Sequence, residues 1–179
     1  MKTYLSILRG INVSGQKMIR MEALRAAYEA LGFKNVSSYI QSGNLIFQYK
    51  QSTPEALAKK ITQQIKKEFG FDVPVVVLDA AELQHIATNN PFKDAADNEL
   101  YVTFLSDNPA AEHIDKLATI AQVPDEFIIK EKAIYLFIKK GYGNTKLSNN
   151  YFEQKLKVVA TTRNWKTVQE LLKRMTAPA

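Results

Sequence analysis

The chain of 179 residues has no cysteine, only two histidines, His85 and His113, and a single tryptophan, Trp165. Without cysteine there is no disulfide, thiolate nucleophile, iron-sulfur cluster or thiolate zinc site, and two histidines leave little for a nitrogen-ligated metal. The expectation is therefore a protein with no metal and no cofactor, suited to a reducing compartment. Long apolar runs are also missing. The longest, near Val73 to Leu78, falls far short of the roughly 20 residues needed to cross a bilayer. The chain passes from Met1 and Lys2 straight into a strand-like alternation, with no signal-peptide pattern. A cytoplasmic protein without a membrane partner is the reading.

Hydrophobic residues make up 46% of the chain, ample for a packed core and enough for one large domain or two small ones. Acidic residues are the scarcer charge, and the net charge is +6. Residues 1 to 78 carry 11 Lys/Arg against 5 Asp/Glu, residues 79 to 120 carry 2 against 8, and residues 121 to 179 carry 11 against 5. Two basic blocks flank an acidic one. Such totals fit a surface for nucleic acid or for an anionic ligand, and they fit lysine-rich helices facing water equally well.

Residues 3 to 9 read as a strand, followed by an unusually long connection from Gly10 to Arg20 and a helix with Met21, Leu24, Tyr28 and Leu31 on one face, stopped by Gly32. Val36 to Gln41 and Asn44 to Tyr49 are strands joined across Ser42-Gly43. Thr53-Pro54 opens a helix whose Leu57, Ile61, Ile65 and Phe69 face a core, Gly70 ends it, and Val73 to Leu78 is the next strand. The order is βαββαβ, the ferredoxin-like unit. Asp79 and Glu82 have capping-box spacing for a short helix ending near Thr88, and 89 to 99 is polar. The pattern then recurs: strand Leu100 to Leu105, helix Pro109 to Ala121, strands Phe127 to Lys130 and Ala133 to Lys139, helix Ser148 to Lys157, strand Val158 to Thr161, and an extra helix from Trp165 to Met175. The expected fold is α+β, two differently decorated ferredoxin-like repeats over 1–78 and 100–179, joined by a helix and polar linker over 79–99. Strands apolar on both faces, such as Val75 to Leu78, imply sheets covered on both sides. That counts against an RNA-reading sheet, and Ser42 to Tyr49 does not match the aromatic signature of one.

This topology gathers polar residues at two places. The crossover makes the first two strands of each repeat parallel, so the loop after strand one and the hairpin after strand two emerge together. Arg9, Asn12 and Lys17 then lie beside Gln41 and Asn44, near the N-terminus of the first helix, where cations, amides and unpaired N–H groups suit an anion. On the competing reading Gly10 and Gly15 only shape the loop, Ile11, Val13, Met18 and Ile19 anchor it to the core, and Ser42-Gly43 is a plain turn. A phosphate-loop signature fails between Gly10 and Lys17, because Gln16 stands where the motif needs Lys. In the second repeat the loop from Lys139 to Ser148 returns to the end where the last strand exits, setting Asn144, Lys146 and Asn149 near Thr161 to Trp165. Arg163, Asn164 and Trp165 join Lys146 as candidates there, although Asn164 also suits a helix N-cap and Trp165 a packing role. No nucleophile-and-base spacing is present, and each histidine sits on a predicted helix, so no catalytic residue is assigned.

The chain resembles the bacterial domain-of-unknown-function 1697 family through Arg9-Gly10-Ile11-Asn12-Val13, Tyr39-Ile40-Gln41-Ser42-Gly43-Asn44 with Phe47, Lys146-Leu147, and Thr162-Arg163-Asn164-Trp165 with Thr167-Val168. Ser14 departs from the family, which commonly has the first Gly of a pair there. The resemblance implies two decorated βαββαβ repeats and a possible homodimer, and it implies no activity. Taken together, the leading expectation is a binding protein, or an enzyme, for a small anionic or nucleotide-like ligand. The alternatives are a nucleic-acid binder using Lys59, Lys60, Lys66 and Lys67, and an interaction module without a small ligand.

Overall fold

Apolar or small residues on both faces of β1 (Lys2–Leu8) make it a central strand, and Tyr4 to Leu8 are all buried. In the computed structural model, which describes residues 1–118 and 125–177, the chain divides into two units. Met1 to Gln84, with the residues from Leu171 onward, form unit one, and His85 to Glu170 form unit two. In unit one β1 is followed by α1 (Met21–Ala30), β2 (Lys34–Tyr39), β3 (Asn44–Tyr49), α2 (Pro54–Phe69) and β4 (Val75–Asp79). The sheet order is β2-β3-β1-β4 with every pair antiparallel, which is the ferredoxin-like arrangement.

The local signals in unit one act as the sequence reading expects. Thr53 Oγ1 accepts from the Ala56 N–H, and Gly70 closes α2 at φ +76°. Leu57, Ile61 and Ile65, spaced four apart, are fully buried beneath the sheet with Tyr28, Phe33 and Phe47. Phe33 and Phe47 stack at 4.2 Å between centroids, and burying each ring contributes about 2–3 kcal/mol. Asp79 and Glu82 form the reciprocal capping box of α3 (Ala80–Thr88): the Asp79 N–H donates to Glu82 Oε2 at 2.8 Å and the Glu82 N–H to Asp79 Oδ1 at 2.9 Å.

Unit two repeats the topology with β5 (Leu100–Leu105), α4 (Ala111–Ala118), β6 (Glu126–Lys130), β7 (Ala133–Phe137), α5 (Asn149–Leu156) and β8 (Ala160–Asn164). α6 (Trp165–Thr176) follows, and the sheet order is β6-β7-β5-β8. Residues 119 to 121 of the helix expected over Pro109 to Ala121 lie outside the described residues. The last strand runs later than expected. Instead of Val158 to Thr161 it takes in Thr162, Arg163 and Asn164, because β5 offers pairing partners as far as Tyr101, opposite Asn164. Among the described residues no helix is long and apolar enough to cross a membrane.

Candidate functional site

The loop after β1 and the β2–β3 hairpin do meet at one end of unit one. The Leu8 N–H donates to the Gly43 carbonyl at 2.8 Å, and the Asn12 side-chain amide donates to the Gln41 carbonyl at 3.0 Å. Gly43 has φ +92°, and a Cβ there would stand 2.8 Å from Leu8 Cβ and 2.9 Å from Ile11 Cδ1. The hairpin can approach β1 this closely only with glycine.

Of the five residues expected here, Asn12, Asn44 and Lys17 are already engaged by the fold. Asn12 Oδ1 accepts from the Ile19 N–H at 2.7 Å while its amide nitrogen holds Gln41. Asn44 is fully buried, its amide nitrogen donating to the Tyr39 carbonyl and to Ser42 Oγ. Lys17 donates from Nζ to the Asp72 carbonyl. Arg9 is half-buried, with its backbone N–H on the Pro74 carbonyl at 3.0 Å, and Gln41 is exposed.

The loop anchors differently from the expectation. Ile11 and Ile19 are buried, but Val13 and Met18 are 53% and 59% exposed, and Ile40 on the facing hairpin is 50% exposed. These three apolar side chains accompany unusual backbone: Asn12, Ser14, Lys17 and Ile40 all have φ between +44° and +54°. Ser14 adopts the left-handed conformation without being a glycine. Ile40 is the most costly of the four, since a branched Cβ crowds the backbone there.

A cavity of about 230 Å³ opens at this end, lined by Asn12, Met18, Ile19, Arg20, Met21 and Gln41. It sits at the start of α1, whose N-cap Arg20 provides no side-chain cap. Beside the hairpin, the Arg174 guanidinium lies 4.6 Å from the centre of the Tyr39 ring. Arg20, Met18, Met21 and Arg174 were not among the expected site residues. Nothing local in the sequence marks them, although the long uncapped approach to α1 is a usable signal.

In unit two the loop before α5 returns to β8 as expected. The Tyr142 hydroxyl donates to Thr162 Oγ1 at 3.2 Å, and the Thr162 hydroxyl lies 2.7 Å from both Asn149 Oδ1 and Thr103 Oγ1. Arg163 is a strand residue opposite Val102, not a loop residue, and its Nη1 donates to the Thr162 carbonyl at 2.9 Å. Burial pulls its pKa down to about 10, against the opposing influence of Tyr142, so the guanidinium stays charged at neutral pH. Asn164 caps α6, its Oδ1 accepting from the Thr167 N–H at 2.8 Å. Trp165 is half-buried in the first turn, and Lys146 is exposed on the loop. A cavity of about 260 Å³ is lined by Asp97, Asn98, Tyr101, Asn164 and Lys166, so only Asn164 of the expected group faces it.

The histidines do not assemble a catalytic group. His85 is exposed and pairs with Glu131 at 3.2 Å, and His113 lies 3.6 Å from Glu112. Among the described residues no group of three or more His, Asp or Glu could hold a metal ion.

Comparison with known proteins places this architecture. No curated protein matches the chain. The solved structure of the conserved bacterial protein SP0830 from Streptococcus pneumoniae is similar at a TM-score of 0.76 and 20% identity, covering 98% of this chain and 99% of that one. At that identity the likeness speaks for the fold. The family described as protein of unknown function, DUF1697, matches residues 1–135, and the chain belongs to it.

Proposed function

We propose that this protein binds a small anionic, nucleotide-like ligand at the loop-and-hairpin end of unit one. The observation that carries this reading is the cavity between Asn12, Gln41 and the segment Met18 to Met21, where a cation, amide and carbonyl groups and two thioethers line one space. Arg20 supplies positive charge for a phosphate or carboxylate. Met18 and Met21 offer polarizable contacts to a flat ring. The left-handed Asn12, Ser14, Lys17 and Ile40 support the same reading, because strained backbone persists where surrounding structure enforces it and gathers at ligand sites. Asn12 and Asn44 act in this proposal by holding the loop and hairpin in place. Arg9 and Lys17 add to the local positive field, and Gln41 is the exposed amide at the rim.

The test is a thermal-shift screen against nucleotides, sugar phosphates and coenzymes, repeated with Arg20→Ala, Gln41→Ala and Arg9→Ala. A ligand at 100 times its dissociation constant adds roughly 2.7 kcal/mol of stability, and that gain should disappear in Arg20→Ala. A flat screen, with variants that only melt earlier, would leave the loop and hairpin with a structural role alone. The Lys146, Arg163, Asn164 and Trp165 group forms a separate candidate in unit two, for which Arg163→Ala separates ligand binding from stability in the same assay.

A second reading, binding of nucleic acid, is favoured by the exposure of Lys59, Lys60, Lys66 and Lys67 along α2. Lys66 pairs with Asp72 at 3.0 Å, and Glu55 and Glu68 share the exposed surface, which weakens a continuous phosphate track. Affinity for an oligonucleotide that falls steeply with salt would support it.

A further inference from the structure

Each four-stranded sheet ends in two edge strands, and an open edge presents unpaired N–H and C=O groups that recruit another strand unless something blunts them. Three of the four edges are blunted. The β2 pairing shifts register between Lys34 and Ser37, with Asn35 at φ +51°. β4 is buried along every residue but Asp79. In β8 the first two residues are buried and the Thr162 carbonyl already accepts from Arg163. Among the described residues β6 has none of these three features, and the exposed charges it carries, Glu126 and Lys130, are of opposite sign. Its five residues pair with β7 without a register shift, and they alternate exposed and half-buried from Glu126 to Lys130. Ile128, at the centre, is the one exposed large apolar side chain among the described residues of its unit.

We propose that β6 pairs antiparallel with β6 of a second copy of this chain, about a two-fold axis through Ile128. Phe127 and Ile129 pack toward the core of unit two, while Glu126, Ile128 and Lys130 share the exposed face. A slip of one residue would set an exposed residue of one copy against a core-facing residue of the other. Of the registers that remain, the one centred on Ile128 engages all five residues. It sets Glu126 opposite the second copy's Lys130, Lys130 opposite its Glu126, and Ile128 against Ile128. A slip of two residues puts Glu126 opposite Ile128 and carries Lys130 past the end of the other strand. The strand is thus self-complementary in charge, shape and length, which a two-fold contact requires.

Among the described residues, contacts within the chain leave this face available. Lys130 Nζ reaches the Asn89 carbonyl at 3.4 Å, which uses one of its three donors, and the neighbouring Glu131 is held by His85. Five residues per copy bury much less than the about 1,200 Å² of a stable interface, so the association is weak and appears only at high concentration.

Sedimentation velocity on the full chain, from about 10 μM to about 1 mM at low salt, tests the pairing. The weight-average sedimentation coefficient should rise with concentration. Glu126→Lys, which faces Lys with Lys twice, should shift that rise to about tenfold higher concentration, and Ile128→Thr, which keeps a strand-forming residue, should shift it in the same direction. Reversing both charges, Glu126→Lys with Lys130→Glu, should recover the association that Glu126→Lys alone loses. A structural role for either charge within one chain predicts no such recovery. A wild-type chain that stays monomeric throughout, a Glu126→Lys chain that associates as the wild type does, or a double reversal that recovers nothing while its far-UV circular dichroism is native would each overturn the proposal.

Discussion

Gly43→Ala tests the closeness of the hairpin to β1, on which the proposed unit-one site depends. Two separate costs apply. The first is conformational, since alanine at φ +92° costs about 1–2 kcal/mol relative to glycine. The second is steric, because the added methyl would meet Leu8 Cβ at 2.8 Å and Ile11 Cδ1 at 2.9 Å, and both neighbours are fully buried. Overpacking of this kind costs a further 1–3 kcal/mol or so. The sum is about 3 kcal/mol, which at a urea dependence of about 2 kcal/mol/M lowers the midpoint of unit one by about 1.5 M. Gly15→Ala is the control. It has φ +73° but nothing within 4 Å of the added carbon, so it should show the conformational cost alone, about 1–2 kcal/mol. The single Trp165 belongs to unit two, so it is not a direct probe of the hairpin in unit one. Urea unfolding is therefore followed by far-UV circular dichroism, with hydrogen exchange of the Leu8 amide, which donates to Gly43, as a local probe. Equal losses in the two variants would refute the argument, for the hairpin would then have room to move away from Leu8 and Ile11.

Asn12→Ala removes the acceptor of the Ile19 N–H and the donor to Gln41, and should cost about 1–3 kcal/mol in the same urea assay. Asn12→Asp keeps the acceptor and should cost less. Asp79→Ala removes the cap of α3 and the 2.7 Å ion pair with Lys2, a loss of about 0.5–2 kcal/mol from the cap. Partial burial alone would raise the Asp79 pKa, but the Lys2 ammonium and the backbone N–H groups of Glu82 and Ala81 outweigh it and hold it below the usual carboxylate value. The Asp79 contribution is therefore present above the unfolded pKa and lost as pH falls through the folded one, and acid titration of the wild type and Asp79→Ala should converge at low pH. Tyr135 behaves in the opposite sense. Burial, aided by Glu131, pushes its pKa up to about 12, and its hydroxyl donates to the Ile86 carbonyl. Above pH 10 the unfolded phenol ionises first, so stability should fall as pH rises from 10 toward 12, and Tyr135→Phe should lessen that slope in the alkaline unfolding curve. The part due to the buried Tyr28 phenol, whose pKa is also raised by burial, should remain.

The order of elements was legible in the sequence because each depends on neighbours a few residues away. Thr53-Pro54 and Gly70 mark the ends of α2, Asp79 and Glu82 mark the start of α3, and the spacing of Leu57, Ile61 and Ile65 marks the buried face. These signals act through single hydrogen bonds and helical periodicity, and they need no knowledge of the fold. The meeting of the Gly10 to Arg20 loop with the Ser42-Gly43 turn was also legible, since strand direction follows from the crossover.

What the sequence could not decide is which side chain at that meeting point faces water and which faces the core. Met18 and Val13 look like anchors by hydrophobicity, yet they are exposed, while the amide of Asn12 is held between two backbone groups. That outcome depends on a left-handed turn at several non-glycine residues, and tertiary contacts impose such a turn against local preference. Arg163 likewise belongs to a strand only because β5 offers it a partner. Composition and short-range pattern therefore determined the elements and their succession by themselves. Tertiary structure decided the loop conformations, the cavity and the place of β6 at the edge of its sheet, because these depend on contacts between segments far apart in the chain.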